Sequence, residues 1–196
     1  NIEYIKNNDD TYGVEEGISL KKNLDLINKL YKNKNVVAIN FKSRENNIDL
    51  DNFYKLESYY PDLNFSHISY EEEDTVETIK KKIDKIDENS IILLTYIYSY
   101  SSISYNELFE LQDYLDAKVD LPKFSTLKHE LYFDTIGGYM TSHYEQGKMG
   151  AEIAMDIING NEPTSKLVSY DEVNKYIFNY EHLKKHKIKE KYLPKN

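Results

Sequence analysis

TIGGYMTSHYEQGKMGAEIAMDIING, residues 135–160, is the stretch around which the rest of this chain is organised. It opens with the pair Gly137-Gly138, which permits backbone angles closed to other residues, and runs into a strand-like segment over 139–142. A helix is expected next. Ser142 and Glu145 have capping-box spacing, and Gly160 supplies a stop just past the last periodic residue. Met149, Ile153 and Ile157 recur at four-residue spacing beside a strip of Gly147, Gly150, Ala151 and Ala154, so the expectation is a buried helix packed tightly on a sheet. A phosphate-binding loop is excluded: Ser142 stands where the pattern needs its first glycine, and Met149 where it needs the metal-binding hydroxyl.

Upstream, the hydrophobic period switches repeatedly. Residues 1–16 are polar and read as a loop, and a helix is expected over 19–31 with Leu20, Leu24, Ile27 and Tyr31 on one side. The apolar run 36–41 has the continuity of a strand covered on both faces. Helices are then expected over 50–60, 75–86 and 105–115, alternating with strands over 63–70, 91–98 and 123–126. Downstream, 161–175 reads as a polar connection, 176–180 as a strand, and the remainder as a Lys-rich helix. Strand and helix alternating without hairpin dipeptides give an α/β class with a mainly parallel, doubly wound sheet.

Composition narrows the partners. The chain has 196 residues and a formal charge of -9, from 34 acidic and 25 basic residues. That balance argues against nucleic acid and against anionic membrane surfaces. No run approaches the ~18 apolar residues of a membrane span, and no charged-then-apolar leader opens the sequence. Cysteine is absent, which removes disulfides, thiolate nucleophiles and Cys-based metal sites. The 19 tyrosines suit amphipathic burial and ligand walls, although the accompanying Asn, Lys and Ile are equally what an AT-rich genome produces.

Each catalytic or metal pattern fails on its letters. His182 and His186 sit one helical turn apart among Lys184, Lys185 and Lys187, which marks a solvated face rather than a cation site. His129-Glu130 lacks the second histidine of a zinc protease, with Phe133 in its place. Glu71, Glu72, Glu73 and Asp74 precede a helix, where negative charge is favourable and Asp74 suits the cap. The serines at 99, 101, 102 and 104 lie in no nucleophile elbow. No cofactor is expected. In parallel sheets ligands bind outside the carboxyl ends of the strands, which singles out Ser43, Arg44, Tyr70, Tyr98, Ser99, Thr126 and Lys128. Cations, hydroxyls and tyrosine rings there suit a small polar ligand with a carboxylate and a flat apolar part.

The segment GGYMTSHYEQGKMGAEIAMDIINGNEP is similar to a block of the type 1 periplasmic binding proteins grouped as ABC-transporter substrate-binding-like. Residues 11–18, Leu121-Pro122, 176–185 and Leu193-Pro194 agree in the same order. The resemblance implies a non-enzymatic domain that closes two lobes over a small solute, with an amino-acid-like molecule among the candidates. It further implies that residues 1–134 and 161–196 are mainly the second lobe, that 135–160 returns to the first lobe, and that the N-terminal half of the first lobe is missing. The ending over 176–194 is similar to the extracellular sensor branch, found on membrane histidine kinases or diguanylate cyclases. The expectation is therefore an extracellular or cell-surface sensor domain of a histidine kinase, joined to a membrane only through segments outside this chain. A transporter substrate-binding protein is the alternative, and a small α/β enzyme with its site at the same strand ends is the second. A homodimer through the small-residue helix is also compatible with the sequence.

Overall fold

The computed structural model describes residues 2–41, 44–95, 104–118, 120–132 and 134–195. In chain order the helices are α1 (Ile2–Asn7), α2 (Leu20–Leu30), α3 (Arg44–Leu56), α4 (Val76–Ile83), α5 (Tyr105–Lys118), α6 (His143–Ile158), α7 (Tyr170–Val173) and α8 (Tyr180–Lys185). The strands are β1 (Gly13–Val14), β2 (Lys34–Phe41), β3 (Leu63–Tyr70), β4 (Ser90–Leu94), β5 (Lys123–Ser125), β6 (Gly137–Met140), β7 (Leu167–Val168) and β8 (Lys175–Phe178). Short 3-10 turns cover Glu57–Tyr59, Lys128–Tyr132 and Glu190–Tyr192.

The main sheet has the order β3-β2-β4-β5-β6-β8 and is parallel except where β8 runs against β6. That is the α/β architecture expected from the alternation. The continuous apolar run of β2 is divided between the two faces, as a strand period of two requires. Val36 and Ala38 join Leu24, Ile27, Phe53 and Phe124 under α2 and α3, while Val37 and Ile39 join Ile79, Ile83, Leu111 and Leu115 under α4 and α5. Local chemistry sets the ends of these elements. Ser19 caps α2 by accepting the Lys22 N–H, and Asn33, at φ 53, turns the chain into β2 in a left-handed conformation that asparagine tolerates. At the start of α4 the cap is Thr75, reciprocated by Thr78, rather than the expected Asp74. Asp74 instead receives Lys82 and the Glu71 N–H.

The Gly137-Gly138 pair is a packing requirement. Gly137 has φ +123, and a Cβ on it would collide with the Ile177 carbonyl of β8. A Cβ on Gly138 would meet the Ser125 carbonyl of β5 and the side chain of Asn23. Asn23 is fully buried on α2 and treats β6 as a neighbouring strand would. Its Nδ2 donates to the carbonyls of Ser19 at 3.0 Å and Tyr139 at 2.9 Å, and its Oδ1 accepts the Tyr139 N–H at 2.9 Å.

Three expectations are corrected. Residues 1–16 hold α1 and β1, and 161–175 hold β7 and α7. β1 and β7 pair in parallel as a separate two-stranded sheet, and strands of two residues are too short for a period to show. The expected tight burial of α6 is also overturned. Only Ile153 is buried, in a small cluster with Val168, Val173 and Met149. Ile157 is 47% exposed and Ile158 74%, and a Cβ added at Gly147 or Gly150 would meet nothing within 4 Å. The ends of α6 are as expected: Ser142 accepts the Glu145 N–H. Gly160, at φ +76, closes a Schellman turn in which Asn161 donates to the Asp156 carbonyl. The segment 135–160 is thus shared, with β6 in the main sheet and α6 against the β1–β7 unit.

Candidate ligand-binding cleft

The loops that leave β5 and β6 are zipped together. The Thr141 N–H donates to the Thr126 carbonyl at 2.8 Å, and the Lys128 N–H donates back to the Thr141 carbonyl at 3.0 Å. Below them, the Ser125 hydroxyl is held between the Leu127 carbonyl and N–H and the fully buried Glu130 carboxylate. Above them opens a cleft of about 390 Å³ lined by Lys128, His129, Leu131, Thr141, Ser142, His143 and Tyr144. It lies at the carboxyl ends of two parallel strands, where an α/β sheet offers its loops to a ligand.

The α6 wall is anchored from both sides. The Thr141 hydroxyl donates to the Gly17 carbonyl at 2.8 Å, and Asn174 Nδ2 donates to that same carbonyl at 2.8 Å and to Thr141 Oγ1 at 3.2 Å. His143 Nε2 lies 3.2 Å from Glu16 Oε1, an ion pair when the ring is protonated. The rings of His129 and His143 stack with centroids 5.9 Å apart and planes inclined by 16°. Burial, and then the charge of His143, hold the His129 pKa below the ordinary 6.5. With the Lys128 ammonium and the positive end of the α6 dipole at the same mouth, the cleft favours an anionic group.

The expected site residues separate into three sets. Lys128 lines the cleft and is exposed. Thr126 and Tyr70 are buried below their strand ends. The Thr126 hydroxyl donates to the Leu94 carbonyl at 3.3 Å. The Tyr70 ring lies in the core under α4 and α5, where burial and then the Asp74 charge push its hydroxyl above the ordinary tyrosine range. Ser43, Tyr98, Ser99 and the Arg44 side chain lie outside the described residues. The residues missed were His129, Thr141, Ser142, His143 and Tyr144. The signal for four of them was already in the sequence, because a strand over 139–142 entering a helix has a carboxyl end like the others.

A second charged group sits at the opposite, amino ends of the strands. Lys123 is fully buried and lies 3.1 Å from Asp134 and 3.5 Å from Asp116. Lys185 reaches Asp134 at 2.9 Å and Asp120 at 3.0 Å, and His182 Nδ1 stands 2.6 Å from Asp134 Oδ1, off the line that a hydrogen bond needs. The stretch expected to be a solvated face therefore docks α8 on the sheet. Among the described residues no group of three or more His, Asp or Glu side chains is placed to hold a metal ion. Nor is any helix there long and apolar enough to cross a membrane.

Three solved structures share the fold over most of this chain. The ligand-free, open structure of a substrate-binding protein with adhesive properties from Clostridium difficile matches with a TM-score of 0.66 at 14% identity, over 91% of this chain and 59% of that one. The mostly parallel α/β sheet resembles the type 1 periplasmic-binding-protein fold. A conserved domain protein from Vibrio cholerae matches with a TM-score of 0.60 at 14% identity, over 91% of this chain and 58% of its own. An ABC domain from Streptococcus pneumonia, in complex with L-Trp, matches with a TM-score of 0.59 at 13% identity, over 87% and 56%. The chain thus spans less than two thirds of the length of each of these three structures. No family model matches it, and no curated protein does.

Proposed function

We propose that this chain is the greater part of a solute-binding domain of the type 1 periplasmic class, which holds a small amino-acid-like ligand by its carboxylate without chemical conversion. The observation that carries the reading is the cleft at the carboxyl ends of β5 and β6, where Lys128 and the start of α6 face one opening. The L-Trp bound to a protein of similar fold supports an amino-acid ligand. Of the aliphatic hydroxyls at this mouth, Ser142 accepts the Glu145 N–H at the start of α6 and Thr141 donates to the Gly17 carbonyl. On this reading the six-stranded sheet is one lobe, and β1, β7 and α6 are a portion of the other. The bare face of α6 is then the seat for the rest of that lobe.

A transporter's substrate-binding protein fits better than a histidine-kinase sensor. The sensor preference rested on the ending over 176–194, and those residues form β8, α8 and the 3-10 turn Glu190–Tyr192. The substrate-binding name of the first similar structure and the ABC name of the third support transport. An extracellular or cell-surface location belongs to the same proposal.

Calorimetry with L-tryptophan and a panel of other amino acids tests it. Weak binding is expected, because a cleft with one wall leaves a ligand face wet. Replacing Lys128 with Ala is expected to weaken it further by about tenfold, the order of one charge-assisted hydrogen bond. Absence of binding across the panel, or turnover of any member, would overturn the proposal.

A further inference from the structure

We propose that β3 is a self-pairing edge, through which two copies of this chain join antiparallel and continue their sheets into one. The surface lies at the other end of the sheet from β5 and β6, so the inference is independent of the solute-binding reading and leaves that cleft open. β3 is an outer strand, and among the described residues it pairs with β2 alone. Its outward N–H and C=O groups are a template for another strand. Near the far end, the Ser69 carbonyl takes the Lys82 ammonium at 3.0 Å.

The two outer strands of the sheet are protected differently. β8 has four residues and opens with Lys175, a charge that discourages pairing. β3 has eight residues, LNFSHISY, with no proline and no Lys, Arg, Asp or Glu. Its register with β2 runs unbroken from Leu63 to Tyr70, so no bulge twists the edge away. The exposed positions Asn64, Ser66 and His67 bring no carboxylate or ammonium to the edge, in a chain whose formal charge is -9.

The faces of the strand fix the register. Leu63 and Phe65 belong to the core under α2 and α3, and Ile68 and Tyr70 to the core under α4 and α5. A two-fold axis perpendicular to the sheet keeps each face on its own side, so cross-strand partners share a face and the axis passes through a residue. Through Ser66 it sets Asn64 of one copy opposite Ile68 of the other, and Phe65 opposite His67. Through His67 it would oppose two imidazole rings, each already 2.7 Å from a Tyr54 hydroxyl. On the α4 face a cleft of about 580 Å³, with Lys82, Lys85 and Ile86 beside Asn64, Ser66 and Ile68, leaves room for the side chains of the added strand.

Charge sets the direction. Glu71, Glu72, Glu73 and Asp74 follow β3, while Lys32 and Lys34 stand at its start, Lys34 in register with Leu63 and Lys32 3.2 Å from Asp62. Antiparallel pairing lays each acidic run beside the lysines of the other copy, whereas parallel pairing lays the two acidic runs side by side. It also closes, because each copy uses the same edge once and growth stops at two.

Sedimentation equilibrium of the full chain from about 5 to 500 μM tests this, since an edge of this length falls at or below the ~800 Å² a side of standard interfaces and a Kd on the order of 10 μM is expected. A chain that stays monomeric throughout overturns the proposal. Ser66→Lys, at an exposed site, places two ammonium groups at the axis and should weaken the dimer by about fivefold or more. An unchanged Kd overturns the proposal. The chain has no cysteine, so a single introduced thiol reports geometry. Ser66→Cys should give a disulfide-linked dimer on oxidation, because Cβ atoms directly opposite lie ~4.5–5.5 Å apart, and Ile158→Cys on α6 should not. Crosslinking at 158 in place of 66 moves the dimer to α6 and overturns the proposal. Should Ser66→Lys fail to fold, the wild-type sedimentation and the Ser66→Cys crosslink decide. Any concentration dependence of stability that remains in Ser66→Lys belongs to another surface. A monomer that binds L-tryptophan defeats this proposal and leaves the solute-binding reading standing, whereas a crosslinked dimer that binds no amino acid does the reverse.

Discussion

Helices α2 and α6 start alike and end up differently. Each is capped by a serine hydroxyl that accepts a backbone N–H of its first turn, and each carries apolar residues at helical spacing. Yet α2 buries Leu20, Asn23, Leu24, Leu26 and Ile27, whereas α6 buries Ile153 alone. The difference lies opposite the helices. α2 faces a sheet whose strands supply Val36, Ala38, Leu93 and Phe124, and α6 faces two-residue strands that supply Val14 and Val168. An apolar stripe states that a helix has a face, and only the rest of the structure states what covers it.

The largest test of that contrast is at matched leucine and isoleucine positions. Leu24→Ala removes a fully buried side chain, and about 2–5 kcal/mol of stability should go with it. Ile158→Ala, at a side chain 74% exposed, should stay within ~0.5 kcal/mol by urea denaturation. Equal losses at the two sites would mean that α6 is covered in solution. Asn23→Ala comes next. It leaves the Tyr139 N–H and carbonyl on the α2 side without their partner, and each unsatisfied buried group costs about 1–3 kcal/mol. Retained hydrogen-exchange protection of the Tyr139 amide would break that account.

These positions also show what could be read beforehand. The sheet was legible because β2, β3 and β4 are apolar runs between periodic helices, and the span of β3 coincides with the expected one. The Gly-Gly pair was legible as a special backbone. Its reason was not, because the colliding atoms belong to Ile177, Ser125 and Asn23, which are distant in sequence. The cleft was legible only as a rule about strand ends. The rule found Lys128, but it also chose Tyr70 and Thr126, whose side chains turn into the core. Strand alternation alone does not say which end residue projects past the sheet, and the His129–His143 stack joins residues that share no motif.

Acid titration extends the comparison to helix starts. At α4, Asp74 is 10% exposed, lies 2.5 Å from Lys82 and accepts the Glu71 N–H at 2.8 Å and the Thr78 hydroxyl at 3.0 Å. Burial opposes its charge, but the donors win and hold the carboxyl below the ordinary 3.8. A depressed folded-state value stabilises above the unfolded pKa and is lost as pH falls through the folded one. Asp74→Asn should therefore be less stable than wild type at pH 5, with the gap closing toward pH 3. A gap of constant size would show that the loss is not electrostatic. At α6 the corresponding start rests on the Ser142 hydroxyl, which does not titrate, so Ser142→Ala should give a loss that is flat with pH over that range.

The smallest expected effect decides most about α6. A Cβ at Gly150 would meet nothing within 4 Å, and glycine inside a helix is roughly 0.5–1 kcal/mol worse than alanine. Gly150→Ala should therefore raise the denaturation midpoint, and Gly150→Leu should be neutral or mildly stabilising, because its side chain extends into the same open space. If the bare face of α6 is instead closed by a second copy of the chain, the added side chains meet a packed backbone. Both variants then lose stability, by ~1–3 kcal/mol for the larger one. The two outcomes differ in sign, so a modest measurement separates them. Repeating it across protein concentrations separates closure by a second copy from closure within the chain, since only the former makes the apparent stability rise with concentration. A gain in both variants that is independent of concentration leaves α6 as the structure has it, one face on the β1–β7 unit and the other open to solvent.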